Sequence, residues 1–321
     1  MMKKDYTKQS KENLIKKIKQ FRKHKRYNIV YENKMRRVVG QCKTELPVFQ
    51  IIKDKKILAK IYFSTKHTIA DITKDVLVSQ LARNIKFSSV GYAGFLKKKF
   101  LREFLLYQIF DIDIDFKKKE KRNINQKEVK EIIDRTIRKC KGIIFSPITR
   151  IFVFPSYSSF TKNKMSGVSG YTPWQNTMLV FVDSTTKQWK KLLESTIAHE
   201  YLHTITRQYH KWETLLDSII FEGLAENFVQ DVLENKLSPW SRALDLRQSK
   251  KYLKKIKHKL ESKDMDIYKS VFFKDKEYPL WTGYSIGYNI VKNFLNKQSV
   301  YSWEQIVKLK PKTILRNSGF I

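Results

Sequence analysis

The sequence has little cysteine and no long hydrophobic run. Only two cysteines occur among its 321 residues, Cys42 and Cys140, and they do not form a CxxC pair. This scarcity argues against a disulfide framework and against a zinc site built from thiolates. No apolar stretch approaches the ~18–20 residues of a membrane span, so the sequence predicts a chain without a transmembrane segment.

Acidic residues are also scarce relative to basic ones. The chain has 65 Lys and Arg against 31 Asp and Glu, which gives a formal charge of +34. Residues 1–60 hold 19 basic and 5 acidic residues, whereas residues 183–234 hold 5 basic and 9 acidic ones. The basic residues thus lie mainly outside the acidic stretch 183–234, and a solvated lysine surface is their first interpretation. The alternative is weak, salt-sensitive contact of the Lys-rich N-terminal region with nucleic acid or an anionic surface.

The first twenty residues, MMKKDYTKQSKENLIKKIKQ, are charged throughout. A secretory signal peptide needs an apolar segment, so the expected location is cytoplasmic. Hydrophobic residues make up 41% of the chain and aromatic residues 13%, which is enough for a sizeable core. We expect two parts, a basic and mostly helical region over 1–140 and a second domain over 141–321.

The most informative pattern is His-Glu-Tyr-Leu-His at 199–203. His199 and His203 are four residues apart, so on an α-helix they lie one turn apart on the same face and reach one metal ion. Neither Gly nor Pro interrupts residues 186–212. Glu200 lies one position round from that face, where it would hold a water whose pKa a zinc ion has lowered to about 7. The pattern predicts a zinc site with its own general base.

A catalytic zinc site usually has three protein ligands, so a third must be found. His210 would lie roughly 10 Å further along the helix axis than the second histidine, which is too far. The pattern HExxHxxGxxH fails because Thr206 and Tyr209 occupy its Gly and third-His positions. Apolar periodicity over 215–233 predicts a second helix, and an antiparallel return would bring Glu222 beside the histidines.

Glu226 follows Glu222 by four residues and therefore shares its helix face. We predict that Glu226 accepts an N–H hydrogen bond from a ligand imidazole and fixes the tautomer of that ring. The alternative is a solvated carboxylate without a role in the site.

These residues carry a resemblance to a known family. HExxH, eighteen further residues and then Glu-Gly at 222–223 resemble the gluzincin metallopeptidases. With Glu-Gly-Leu-Ala-Glu at 222–226 and Gly-Tyr-Ser-Ile-Gly-Tyr at 283–288, the chain is similar to the YjaZ-like family of predicted zinc-dependent proteases over roughly residues 140–300. The resemblance implies a mainly helical α+β, zincin-like fold, in which a small mixed sheet packs on the active-site helix. The aminopeptidase signature Gly-x-Met-x-Asn is absent, which favours an endopeptidase.

The resemblance also implies that an edge strand of this sheet pairs with an extended peptide substrate. Residues 177–182 are the predicted strand for that role, and 150–154 form a second strand. The Gly- and Ser-rich stretch 166–174 predicts a loop between them. A buried core strand is the alternative interpretation of 177–182.

Gluzincins further use a Tyr or His donor, from later in the chain, to stabilise the tetrahedral oxyanion. No histidine follows His258, so Tyr284 and Tyr288 are the candidates. Tyr284 is slightly favoured. The alternative for each is a packing role on a helix.

Together these features predict zinc-dependent hydrolysis of a peptide bond in a peptide or protein substrate. Zn²⁺ would bind His199, His203 and Glu222, and Glu200 would activate the water. The alternative is a non-enzymatic basic binding protein, for nucleic acid or an anionic surface, that keeps a structural zinc site. A third interpretation is a protease restrained by its own N-terminal segment or by a partner.

Overall fold

The computed structural model describes residues 48–63, 124–156, 158–234, 238–273, 276–298 and 301–320. Within these ranges the chain is mainly helical and contains one five-stranded mixed sheet, which confirms the predicted α+β class. Most of the predicted helical region over 1–140 lies outside the described residues, which include only 48–63 and 124–140 of it. The predicted anionic contact of the Lys-rich N-terminal region rests largely on such residues and stays a prediction.

The five strands form a sheet with both parallel and antiparallel pairs. Their bounds are β1 Val48–Lys53, β2 Lys56–Phe63, β3 Thr149–Pro155, β4 Val168–Trp174 and β5 Thr177–Val182. They lie in the order β1-β2-β3-β5-β4. β2, β3 and β5 run parallel, whereas β1 and β4 pair antiparallel at the two ends of the sheet. The central β3 and β5 are rich in Val, Ile and Phe and almost wholly buried, as expected for strands covered on both faces.

Helices surround the sheet and make up most of the described chain. Their bounds are α1 Gln126–Ile143, α2 Ser159–Lys164, α3 Trp189–Tyr209, α4 Leu215–Val232, α5 Leu246–Ile256, α6 Met265–Phe273, α7 Thr282–Lys297, α8 Trp303–Ile306 and α9 Pro311–Ser318. None of these described helices has both the length and the hydropathy needed to cross a bilayer. The cytoplasmic location stays a prediction. α3 and α4 are buried almost all the way round, which marks them as the central helices.

The edge strand of the sheet beside α3 is β4, although the sequence predicts a loop over 166–174. Residues 177–182 form β5, which lies between β3 and β4 with every residue buried. Their prediction as the substrate-facing edge is therefore wrong, and the alternative of a buried core strand is confirmed. The cause of the error is the composition of β4. Gly170 and Pro173 disfavour an interior strand, yet an edge strand tolerates proline and glycine permits a close approach.

The division into residues 1–140 and 141–321 stays a prediction. Nevertheless, described residues from both sides of it pack together, and Pro47–Ile321 form one compact unit. β1 and β2 share the sheet with β3, and α1 continues through residue 140 without a break. α1 packs on α3, and the Tyr201 hydroxyl donates to the Ile144 carbonyl at 2.8 Å. The residues before 141 thus help to hold α3 in place.

Candidate metal centre

The two motif histidines lie one turn apart on α3. Their ring centroids are 4.6 Å apart and their Nε2 atoms 2.9 Å apart. His199, Glu200 and His203 are 7%, 6% and 3% exposed. The centre is therefore largely closed to bulk water, which strengthens electrostatic interactions within it.

α4 passes α3 so that Glu222 faces both histidines. Glu222 Oε2 lies 2.9 Å from His199 Nε2 and 3.5 Å from His203 Nε2. The ligand atoms of all three residues lie within 4.8 Å of one another, and all three side chains are buried. The structure thus brings together the three residues that the sequence proposes as metal ligands.

The turn between α3 and α4 sets this arrangement. α4 begins with a capping box, in which the Thr214 side chain accepts from Asp217 N and the Asp217 carboxylate accepts from Thr214 N. In the turn itself, the Trp212 ring packs 4.8 Å from the His203 ring, and its Nε1 donates to Ser218 Oγ at 2.9 Å. The turn is therefore tied to both helices.

His210, rejected as a ligand because of its distance along the helix, lies at the C-terminal end of α3. Its Nε2 donates to the carbonyl of Val307 at 2.8 Å, and its ring packs 5.2 Å from the Phe221 ring. Burial lowers its pKa, although the bond to Val307 opposes that shift. These contacts give His210 a structural role outside the group of three ligands.

The donor atoms fit a divalent metal ion. His199 Nδ1 lies 2.7 Å from Glu226 Oε1, and because an ionised carboxylate can only accept, Nδ1 carries a proton. In a neutral ring, Nε2 then keeps its lone pair and can bind a metal ion. His199 Nε2 faces Glu222 Oε2 and His203 Nε2, each 2.9 Å away, so a single cation can be bound by all three atoms. Tetrahedral zinc ligands at ~2.0–2.1 Å lie about 3.3 Å apart, close to these separations.

Glu226 is buried behind His199. Glu226 is only 1% exposed. Its carboxylate accepts hydrogen bonds from His199 Nδ1, from Trp240 Nε1 at 2.6 Å and from Ser241 Oγ. Trp240 and Ser241 belong to a short 3-10 helix, Trp240–Arg242. The alternative of a solvated carboxylate is therefore wrong. The observed contacts are those expected of a group that fixes the tautomer of a ligand imidazole.

Burial and charge oppose one another in this cluster. Burial raises the pKa of Glu222, but His203 and His199 lower it to about 2. Burial lowers the pKa of His199, but hydrogen bonds with Glu222 and Glu226 raise it well above its usual value. Two buried carboxylates thus stabilise positive charge at this point, and a bound metal ion would supply that charge in place of a proton.

Glu200 lies against the edge strand β4. Thr172 Oγ1 donates to Glu200 Oε2 at 2.7 Å. A Cβ at Gly170 would lie 2.6 Å from Glu200 Cγ and 2.7 Å from Glu200 Oε1. Glycine therefore lets β4 pass close to this carboxylate, which connects Glu200 with the sheet edge.

A close crossing of α4 and α7 explains two glycines of the sequence motifs. A Cβ on Gly223 would lie 2.2 Å from the carbonyl oxygen of Gly287, and a Cβ on Gly287 would lie 2.0 Å from that of Ile219. Real Cβ contacts are never so short, so any larger residue would force the helices apart. The two glycines let α7 pack directly against the helix that carries Glu222.

Tyr288, one of the two candidate oxyanion donors, is engaged elsewhere. It is buried, and its hydroxyl donates to Gln230 Oε1 at 2.9 Å and accepts from Lys292 Nζ at 3.1 Å. These contacts tie α7 to α4 and match the packing role that the sequence left open for this residue.

Tyr284 lies one turn earlier on α7, in an aromatic cluster. It is half-buried, with ring centroids 5.1 Å from Phe272 and 5.6 Å from Trp281. Burial raises the pKa of Tyr284, and the nearby charges of Glu222 and Glu200 raise it further. Of the two candidate donors, Tyr284 is therefore the one whose pKa is raised by carboxylates of the metal centre.

Four residues of this region were missed by sequence reasoning, namely Thr172, Trp212, Trp240 and Ser241. None belongs to a recognised motif, and each reaches the site from a strand, a turn or a short 3-10 helix whose position depends on tertiary packing. The one available signal was a Gly-x-Thr sequence between two apolar runs, which could have indicated an edge strand next to the HExxH helix.

Comparisons with known proteins agree with this geometry. Residues 129–316 match the family model described as "Predicted Zn-dependent protease (DUF2268)". "Uncharacterized protein YjfC" of Bacillus subtilis (strain 168) is 26% identical over 142 residues, which are 40% of this chain and 47% of that protein. "Uncharacterized protein YjaZ" of the same organism is 33% identical over 111 residues, which are 32% of this chain and 42% of that protein.

Each of these matches spans less than half of the curated relative, so the relatives establish similarity over a part of their length only. The family model covers more than half of this chain, including the HExxH helix, Glu222 and the two tyrosines. It confirms the predicted resemblance to the YjaZ-like proteins. The chain belongs to the family of predicted Zn-dependent proteases.

Proposed function

We propose that this protein is a gluzincin-type zinc endopeptidase, with zinc held by His199, His203 and Glu222. The observation that carries the proposal is the convergence of ligand atoms from three buried residues within 4.8 Å of one another, on helices of which the first also carries Glu200. Membership of the protease family supports the same conclusion at a coarser level. When bound, zinc would polarise the substrate carbonyl and lower the pKa of a water to about 7.

Glu200 acts in this proposal as the general base. It takes a proton from the attacking water and passes it to the leaving amine. Thr172 is a positioning residue, because its hydroxyl engages Glu200 Oε2 at 2.7 Å and restricts the carboxylate to one orientation. We assign Oε1 to the water.

β4 is the strand proposed to bind the substrate. Across the described ranges no strand pairs with its outer edge, and an exposed sheet edge is where an extended peptide can add as a further strand. Gly170 and Thr172, both on β4, lie against Glu200. A peptide added to this edge would therefore pass beside the general base.

Metal removal tests the proposed function. Chelation and dialysis are expected to remove about one zinc ion per chain and to abolish cleavage of a broad peptide library, and added zinc should restore both. Zinc is measured by mass spectrometry and cleavage by product analysis, with magnesium as the control because imidazole ligands do not suit it. Zinc-loaded protein that cleaves nothing, yet binds DNA or acidic vesicles in a salt-dependent way, would favour the non-enzymatic alternative.

Tyr284 is proposed to donate a hydrogen bond from its hydroxyl to the oxyanion. Tyr284→Phe should lower kcat by about 10²–10³-fold, the usual cost of losing one such donor, with zinc content unchanged. Tyr288→Phe is the matched control, and it should lose hydrogen bonds to Gln230 and Lys292 while kcat stays near that of the wild type. Steady-state kinetics of both variants decide which tyrosine is the oxyanion donor. A larger loss of kcat in Tyr288→Phe than in Tyr284→Phe would assign that role to Tyr288.

A further inference from the structure

Arg207 is a cation next to the metal centre that has no part in the chemistry described above. It follows His203 by one turn of α3 and so lies on the same face. Its guanidinium carbon is 4.4 Å from the centroid of the Trp212 ring, which itself lies 4.8 Å from the ring of His203. Trp212 therefore contacts both Arg207 and a candidate ligand, and it supports the planar guanidinium.

The Arg207 guanidinium has an unused hydrogen-bond donor. Its Nε is buried, and none of the groups in the described part of the chain accepts from it. Arg135 and Arg138, by contrast, donate from Nε to the carboxylates of Glu194 and Asp134. Because buried N–H groups normally have an acceptor, the Arg207 donor indicates a place for an acceptor supplied by a ligand.

Two carboxylates of the metal centre act on the charge of Arg207. Burial lowers the pKa of Arg207, and the charges of Tyr171, Glu200 and Glu222 raise it. Both carboxylates already accept or share hydrogen bonds with other residues of the site. Residue Arg207 is only half-buried, so part of its side chain is open to a ligand from solvent.

We propose that Arg207 binds a carboxylate of the peptide substrate close to the scissile bond and so selects acidic substrates. The inference rests on the proposed peptidase function and narrows its substrate class. A guanidinium presents a planar fork of N–H donors that matches the two oxygens of a carboxylate. Because Trp212 supports that fork before the substrate binds, little side-chain freedom is lost on binding.

Two parts of a peptide carry such a carboxylate, an Asp or Glu side chain and the α-carboxylate at the chain end. Three peptides with one common cleavable bond separate these sources. The first has Glu next to that bond and an amidated end, the second has Gln and an amidated end, and the third has Gln and a free end. The second peptide contains neither carboxylate and is the reference.

The expected result is a preference of about 10–100-fold in kcat/KM for one carboxylate peptide over the reference, the usual effect of a hydrogen bond to a charged group. Arg207→Gln should bring this ratio close to one, mainly through KM. Arg207→Lys should restore it in part, because lysine keeps the charge and loses the fork. Lys211→Gln removes the same charge from an exposed position four residues later and should leave the ratio unchanged.

Calorimetry with zinc-loaded Glu200→Gln protein gives a second measurement that does not depend on turnover. The three peptides are titrated into this protein with and without Arg207→Gln. Equal binding of all three by the protein that keeps Arg207, or a preference that survives Arg207→Gln, would overturn the proposal. Carboxylate-selective binding that needs Arg207, in a chain whose wild type cleaves no peptide, would support this site and count against the peptidase function.

Discussion

Glu200→Gln is expected to keep bound zinc and to lose peptide hydrolysis by about 10²–10⁴-fold, the usual contribution of a general base. Glutamine has nearly the same shape and still accepts the hydrogen bond that Thr172 donates to Oε2. It cannot take a proton from water. Because Glu200 is outside the group of three converging ligand atoms, the metal site itself should stay intact.

The measurement is kcat on a cleaved peptide, together with zinc content and the midpoint of thermal unfolding. Thr172→Val is the matched control, since it removes the hydroxyl that orients Glu200 and keeps the base itself. It should reduce kcat by much less than Glu200→Gln does. Undiminished hydrolysis by Glu200→Gln would refute the assignment of Glu200 as the base.

Glu222→Gln should bind zinc far more weakly than Glu226→Gln, although both residues lie one turn apart on α4 and the chemical change is the same. Glu222 Oε2 points at both histidine Nε2 atoms, so its loss removes a charged ligand. Glu226 acts through His199 Nδ1 at 2.7 Å, and the loss of such a partner typically costs about 10–100-fold in metal affinity.

Competition with a coloured chelator measures both zinc affinities, and circular dichroism checks that the variants fold. Hydrolysis should follow zinc occupancy in each variant, so that saturating zinc rescues Glu226→Gln more completely than Glu222→Gln. Equal losses in the two variants would contradict the proposed division between a ligand and its supporting group.

The ligand pair could be predicted because it depends on local geometry alone. His199 and His203 share a helix, and the period of 3.6 residues per turn is sufficient to place both on one face. Glu222 required one further assumption, an antiparallel return after a short turn. Apolar periodicity over 215–233 indicated the second helix, and the structure has it at Leu215–Val232.

The substrate-facing edge could not be predicted, because order in a sheet is decided by contacts between distant segments. Residues 177–182 have the stronger strand pattern, and that strength suits a central position rather than an edge. β4 contains Gly170 and Pro173, and in a short stretch of sequence these residue types are typical of loops. The presence of glycine at position 170 is explained only by the close packing of β4 against Glu200, which leaves no space for a Cβ.

The sequence by itself determined the candidate metal centre of this protein, namely a helical pair of histidines, an adjacent glutamate and a third carboxylate within reach. These features follow from spacing along one or two helices. The tertiary structure alone decided which strand lies at the edge, which tyrosine has a pKa that the carboxylates of the centre raise, and that Arg207 packs on Trp212. The physical reason is that periodicity defines the faces of a helix or strand, whereas its neighbours are chosen by packing between segments far apart in the chain.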